Sequence, residues 1–482
     1  MSIIDIIIVI IYLIGLFLIG LYARTRINTV DDYLVAGNRF ATFSLVGTTM
    51  ASLIGAGMLM GIIGNVYTYG SGIIWNYIGF AFGFVVFAAV YVTRLRSANK
   101  RTMAEIIAGR FGRLPRFFVA IFAALYAFAL LANCVTGMAR LLTYIFGSSL
   151  NITAATVIAV FIGVVLTAMG GLYSVVWTDT IQFVIMIVVI LIAGPVIAVM
   201  KAGGLDAINT ALSSVGGTLT NPVQNVPVSY MVMAFVTVAL SVPGDPTVPQ
   251  RALAGKDTKT VKKSFYISAL MALLFGVALT LIGGGIMTVM PDIAETYGTT
   301  EAAFPVFIIE YFPPVLAGIA ISALMAVVIS TITSMLLVGT THLVYDAGQA
   351  LFPNIKDEVF MKAIPIATVV VGVVITFVAL QIDSMASMLY FAFSLCGAAF
   401  VVPMLFVLFW KKTSKWGVTL GVVSGAVCVL VMSFLGISGP GGDPVYLGLI
   451  LSTACCVFGS LLLPGGAVED AAEDQACEQA KE

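Results

Sequence analysis

The 482-residue sequence predicts an all-α polytopic membrane protein with thirteen transmembrane helices. Three observations carry that reading. Hydrophobic residue types make up 60% of the chain and charged types 10%, with a mean hydropathy of +1.10; soluble globular chains run about 45–50% apolar and about a quarter charged. The apolar residues gather in unbroken runs long enough for a spanning helix, which takes roughly 20 residues, whereas membrane β-strands alternate in polarity. The Lys and Arg residues fall almost wholly in alternate connecting segments. That composition rules out a soluble enzyme, and with basic and acidic residues balanced at 23 each no basic patch for nucleic acid dominates.

The apolar runs cover residues 3–22, 42–67, 72–93, 117–146, 152–169, 172–200, 228–242, 265–289, 315–343, 361–380, 385–410, 416–435 and 445–463. Only Gly170-Gly171 separates the fifth from the sixth, which predicts a tight turn there. With the N-terminus outside, all but two of the 23 Lys and Arg residues lie in inside segments, the exceptions being Arg140 and Lys201. The C-terminus is then cytoplasmic. The first run has no basic leader or cleavage site and reads as a retained span. The outer loop 291–314 carries Asp292, Glu295, Glu301 and Glu310 and no basic residue. Residues 102–111 and 205–215 are amphipathic and expected at the membrane surface. Residues 1–464 form one transmembrane domain, and 465–482 an acidic, disordered cytoplasmic tail. The chain is expected to be multi-pass in a plasma membrane or bacterial inner membrane, with the lipid bilayer as its surroundings and no oligomer required.

Two runs carry interruptions. The second has Gly55-Ala56-Gly57 near its middle, and the seventh ends in Val242-Pro243-Gly244-Asp245-Pro246. Glycine loosens a helix and proline removes a donor. In lipid, broken backbone persists where it is buried in protein or lines a cavity. The breaks open two successive groups of five runs, about 42–200 and 228–410. Five is odd, so the groups have inverted topology, flanked by an extra helix at 3–22 and two at 416–463. Matched breaks in inverted halves predict a secondary transporter with its site near the midplane. The alternative is that the glycines only permit close packing, as the row Gly417, Gly421, Gly425 is expected to do within the bundle.

Asp179, in the sixth run, is the acid that sits well inside a span, and an intramembrane carboxylate is a functional candidate. The ninth run offers Ser330, Thr333 and Ser334 at i, i+3 and i+4, on one helical face. A carboxylate facing hydroxyls, with unwound carbonyls nearby, suits a hard cation. Proton transfer through Asp179, or a helix-to-helix hydrogen bond, are the other readings. His342 is the one histidine of the chain and the six cysteines include no C-x-x-C pair, so a metal centre or catalytic triad lacks its parts and no enzyme is expected. His342 is expected at the membrane interface. Arg140 is expected to pair with carbonyls or to attract an anionic solute.

The sequence resembles the sodium:solute symporter family along nearly its whole length. The resemblance rests on Asp32-Tyr33-Leu34-Val35-Ala36-Gly37-Asn38-Arg39, on Thr102-Met103-Ala104-Glu105, and on Leu166-Thr167-Ala168-Met169-Gly170-Gly171-Leu172-Tyr173-Ser174 running on to Trp177-Thr178-Asp179. It is completed by Gln250-Arg251-Ala252-Leu253-Ala254-Gly255-Lys256-Asp257 and the run 330–334. It implies the leucine-transporter (LeuT-type) fold and sodium-driven symport of a small organic solute by alternating access. It also implies a sodium site made by Ala51, Ile54, Val327, Ser330 and Thr331, and a second sodium site made by Asp179, Ser330, Thr333 and Ser334. Positions implied to line the solute are Gly55, Met58, Trp75, Tyr77, Leu240 and Ser241. The positions that read sugar in one branch of the family hold Met58, Tyr77 and Ser241, and Leu53 stands where the proline branch has an aspartate. The fourth and ninth spans look closer to the pantothenate-like and small organic acid members, so the resemblance implies a carboxylate or pantothenate-like solute. A proton-coupled symporter, or an uncoupled facilitator or channel, is the alternative.

Overall fold

The computed structural model describes residues 2–24, 40–98, 100–439 and 442–465. The first family motif, Asp32 to Arg39, and the acidic tail beyond residue 465 lie outside them. Among the described residues the chain is nearly all helical. Ten helices are long and apolar enough to cross a membrane, or twelve when each of two bent pairs is one span.

The first helix, α1 (Ile3–Arg24), is held from its start. Asp5 accepts hydrogen bonds from the amides of Val315 and Gly318, satisfying orphan donors at the start of a distant helix. The first bent pair follows: α2 (Thr42–Leu53), then a π-turn at Gly57–Gly61 and short helical pieces to Tyr69, with a bend of 65°. Next come α3 (Ile74–Val86), α4 (Met103–Phe111) and α5 (Arg113–Phe146). Thr102 caps α4, its hydroxyl accepting from the amide of Glu105, while the Glu105 carboxylate accepts from the amide of Arg101. This is the reciprocal arrangement that a Thr-x-x-Glu sequence favours. The apolar face of this amphipathic stretch is covered by protein. Met103, Ala104, Ile106, Ile107 and Phe111 are buried, and α4 packs on α5.

Helix α6 is assigned as helix from Ile152 to Met186, but its apolar parts are two, Ile152–Ala168 and a stretch that opens at Val175. Leu166 lines one small cavity together with Val175, Thr178 and Gln182. At about 1.5 Å per residue, a straight helix would hold Leu166 and Gln182 roughly 24 Å apart, so the chain reverses direction between them. A π-turn (Ile187–Ala193) leads to α7 (Gly194–Ala202). The second bent pair is α8 (Val228–Gly244) and α9 (Thr247–Ala254), at 49°.

The remaining helices are α10 (Thr258–Val289), α11 (Leu316–Thr340), α12 (Asp357–Ala379), α13 (Met385–Phe409), α14 (Lys415–Phe434) and α15 (Val445–Leu462). Helix α11 is the axis of the molecule. Its span is buried throughout, and it packs against α5, α6 and α1. The glycine row of α14 faces α15: Gly417 lies against Ser460 and Cys456, Gly421 against Cys456 and Ser452, and Gly425 against Ala398 of α13. The row serves packing within the bundle.

Candidate cation and solute site

The site begins with backbone. After Leu53, Ile54 leaves helical geometry (φ −89°, ψ 80°), and helical geometry resumes at Ala56. Space forces small residues here. A Cβ on Gly55 would stand 3.0 Å from the Cys134 sulfur of α5 and 3.1 Å from the Thr331 hydroxyl of α11. The broken segment is thus wedged between two helices that each present polar atoms to it.

Four of the predicted oxygens, those of Ala51, Val327, Ser330 and Thr331, meet at this break, and the Ser52 carbonyl joins them. The Ser330 hydroxyl donates to the Ala51 carbonyl at 2.7 Å and also lies 2.7 Å from the Val327 carbonyl. The Thr331 hydroxyl lies 3.4 Å from Ala51 O, 3.3 Å from Ser52 O and 3.2 Å from Val327 O. Ala51, Ile54, Val327, Ser330 and Thr331 are all buried. The arrangement is a buried cage of carbonyl and hydroxyl oxygens, none of which carries a formal charge. Its own hydroxyl protons bridge it, and a hard cation would take their place, turning each hydroxyl from a donor into a ligand.

The predicted second set is arranged differently. Asp179 is fully buried, and its Oδ2 accepts from Thr48 (2.6 Å) and Ser52 (3.1 Å), both on α2. Ser334 makes no direct bond to it and lies 3.0 Å from the Ser52 hydroxyl. Thr333 bonds back to the Ser330 carbonyl and lines the small cavity with Thr178 and Gln182, while Ser330 belongs to the first cage. The i, i+3, i+4 spacing shares a face, but that face is broad enough for the three hydroxyls to point at different neighbours.

Arg251 corrects a second expectation. The charge distribution places it in an inside connecting segment, yet α9 turns inward after the break and the side chain is buried. The guanidinium lies 4.0 Å from Asp179 Oδ2 and donates to Ser334 at 2.9 Å, to the Thr247 carbonyl at 3.1 Å and to Ser52. It also contacts Thr48 at 3.3 Å. Asp179 therefore has a counter-charge supplied by the protein, and its Oδ1 has no hydrogen-bond partner among the described residues.

Sequence reasoning missed a second buried acid at this level. Asp245 occupies the break of the α8–α9 pair in extended geometry. It accepts from Tyr126 of α5 at 2.7 Å and from the amide of Thr247 at 2.7 Å. The Pro-Gly-Asp-Pro cluster was the signal, since a break amid apolar spans buries whatever polar residue it carries. Asn133 was also missed. It lies on α5 beside Gly57, donates to the Met385 carbonyl at 2.6 Å, and its own amide oxygen has no hydrogen-bond partner among the described residues.

The solute-lining residues divide. Gly55 and Met58 are in the break itself, and Tyr77 reaches it, its hydroxyl donating to the Met58 carbonyl at 3.0 Å. Ser241 and Leu240 are on α8 next to the second break, with the Ser241 hydroxyl turned back to the Val238 carbonyl. Trp75 stands apart, edge-on to Phe235 in a satellite cluster with Tyr230 and Tyr69. Arg140 is committed to the Glu301 carboxylate at 2.5 Å and to the carbonyls of Ile382 and Asp383, and Glu301 in turn accepts from the amides of Met385 and Ala386. Its charge is spent on structure. His342 is buried rather than interfacial, with Nδ1 2.9 Å from Asp346.

The family model described as "Sodium:solute symporter family" matches residues 33–425. The high-affinity proline transporter PutP of Bacillus subtilis is 27% identical over 436 residues, covering 87% of this chain and 90% of its own. The sodium/pantothenate symporter of Haemophilus influenzae is 27% identical over 448 residues, covering 89% and 90%. Among solved structures, a Na+-coupled sialic acid symporter in a substrate-bound outward-open state superposes with a TM-score of 0.80 at 19% identity, over 97% of this chain and 99% of that one. MhsT in complex with L-phenylalanine gives 0.56 at 12% identity, over 88% and 99%; at such identities the likeness speaks for the fold. The chain, a multi-pass helical membrane protein with two bent spans around a buried oxygen cage, belongs to the sodium:solute symporter family.

Proposed function

We propose that this symporter imports a small organic carboxylate, pantothenate-like in size, together with sodium by alternating access. The observation that carries the sodium assignment is the cage at the first break, where Ser330 and Thr331 meet the carbonyls of Ala51 and Val327. We assign the first cation to Ala51, Ile54, Val327, Ser330 and Thr331. Proline, pantothenate and sialic acid, for which relatives and a structural neighbour are named, share a carboxylate. A half-helix beginning at Ala56 offers backbone amides and the positive end of a helix dipole to such a group. Gly55, Met58, Tyr77, Leu240 and Ser241 are the proposed lining, and Asn133 joins them.

The second cation is proposed at Asp179 and Ser334, near Ser330 and Thr333, in competition with Arg251. The guanidinium already neutralises Asp179, and a sodium ion added to a neutral pair gains little. A second sodium is bound there only when α9 withdraws Arg251. Thirteen spans in a 1 + 5 + 5 + 2 order, an N-terminus outside and a cytoplasmic C-terminus belong to the same proposal and rest on the charge distribution.

The test is uptake of a candidate carboxylate into proteoliposomes under a sodium gradient, for the protein, Ser330→Ala and Thr331→Ala. Each variant lacks one oxygen ligand and should need about tenfold more sodium for half-maximal uptake, the scale of one charge-assisted contact of about 1.5 kcal/mol. Unchanged sodium dependence in both would move the cation elsewhere. Uptake indifferent to sodium but driven by a pH gradient would mean proton coupling, and indifference to both an uncoupled facilitator.

A further inference from the structure

The first turns of α10 carry Lys259, Lys262 and Lys263, and none of them makes an ion pair among the described residues. With Thr258, Tyr266, Ile267 and Leu270 they line an open groove of about 750 Å³ on the outside of the bundle. The groove has a chemical gradient along it. At 100° per residue, positions 259, 262, 263, 266, 270, 273, 274 and 277 fall on one face of the helix. The first three are ammonium groups. The rest are Tyr266, Leu270, Leu273, Leu274 and Val277, all exposed. The opposite face, with Phe265, Ser268, Ala272 and Phe275, is buried in the bundle.

The nearby charges do not cancel the lysines. Asp257 is the neighbouring acid, and its carboxylate caps the helix, accepting from the amide and hydroxyl of Thr260. Lys256 stands beside it. That leaves a cationic mouth over an apolar stripe running roughly 21 Å from Lys263 to Val277. A free inorganic anion would use the mouth and leave the stripe bare. A ligand with a phosphate head and acyl chains covers both, and lysine stems lie along apolar surface while their heads stay wet.

We infer that the Lys259–Lys262–Lys263 groove on α10 is a binding site for an anionic phospholipid, its phosphate among the three ammonium groups and a chain along Tyr266 and Leu270. Each lysine near an anionic surface contributes about 1 kcal/mol, so the three together favour the anionic over the zwitterionic lipid on the order of a hundredfold.

The experiment uses the full chain purified in detergent and titrated with phosphatidylglycerol or phosphatidylcholine, with bound lipid counted by native mass spectrometry and melting temperature followed in parallel. Phosphatidylglycerol should be retained and should raise the melting temperature, and K259Q/K262Q/K263Q should lose that retention by about a hundredfold. The charge-keeping K259R/K262R/K263R should retain it. Leu270→Ser should weaken retention while leaving the charge intact. Equal retention by the Gln variant, or equal retention of both lipids by the unaltered protein, overturns the site. Stabilisation by inorganic phosphate equal to that by phosphatidylglycerol overturns the lipid assignment.

Discussion

At the scale of single residues, the Asp179–Arg251 pair decides most. Both are buried and 4.0 Å apart, and removing one member of such a pair strands the other without a counter-charge, at a cost of about 3–5 kcal/mol. Asp179→Asn should therefore lower the melting temperature by itself, although it keeps the side chain's shape. Adding Arg251→Gln to it should restore much of the loss, because the orphaned cation is gone. A double-mutant cycle with additive effects would show that the two groups do not interact. The same pair sets a transport prediction. Arg251→Gln leaves Asp179 as an anion that sodium can neutralise, so this variant should show steeper sodium dependence than the protein. Asp179→Asn should show a Hill coefficient near one. A pH dependence lost in Asp179→Asn with sodium cooperativity intact would assign it to proton transfer instead. The acid was legible in the sequence because charge is rare inside spans. Its partner was not, because Arg251 follows a proline-rich break in a polar stretch, and hydropathy cannot tell an inward-turned half-helix from a loop.

At the scale of elements, the breaks were readable and the contacts they make were not. Gly55-Ala56-Gly57 and Pro243 to Pro246 announce themselves by backbone chemistry alone, and the two bent pairs stand at those positions. Where Ser330, Thr333 and Ser334 point depends on neighbouring helices, which a periodicity does not encode. Burial of His342 and Asp346 has the same origin: Asp346 is held by Thr102 and Arg116, 244 and 230 residues away in the chain. The glycine row of α14 gives an element-scale test. A Cβ on Gly425 would strike the Ala398 carbonyl, which is backbone and cannot move aside. Gly425→Ala should therefore destabilise by about 1–3 kcal/mol, the usual cost of overpacking. Gly15→Ala, on α1 with nothing within 4 Å, is the matched control and should not. If Gly425→Ala left stability intact and instead shifted a dimer–monomer equilibrium in detergent, the row would be an intermolecular contact.

At the scale of the molecule, the oxygen cage ties together segments far apart in sequence. Ala51 and Ile54 come from the break in the first bent span and Val327, Ser330 and Thr331 from α11, the buried axis. A sodium ion at this proposed site would cross-link the two elements in the folded state and have no site in the unfolded chain, so its binding would add to stability by mass action. At a hundred times its dissociation constant the gain is about 2.7 kcal/mol. In a chain this large that corresponds to a rise in melting temperature of a few degrees, since each kcal/mol moves a domain of 150–250 residues by about 2–4 °C and larger ones by less. Sodium should therefore raise the melting temperature relative to potassium at equal ionic strength, with the effect saturating as sodium increases. General screening of surface charge would instead treat the two salts alike and keep changing with concentration. The Ser330→Ala/Thr331→Ala double variant should lose most of the difference between the salts, because two of five ligands are gone while the backbone carbonyls remain. Arg251→Gln should keep it and add a second sodium-dependent increment at Asp179. A double variant that responds to sodium as the unaltered protein does would place the stabilising ion away from the first break, and with it the coupling between the bent span and the axis helix.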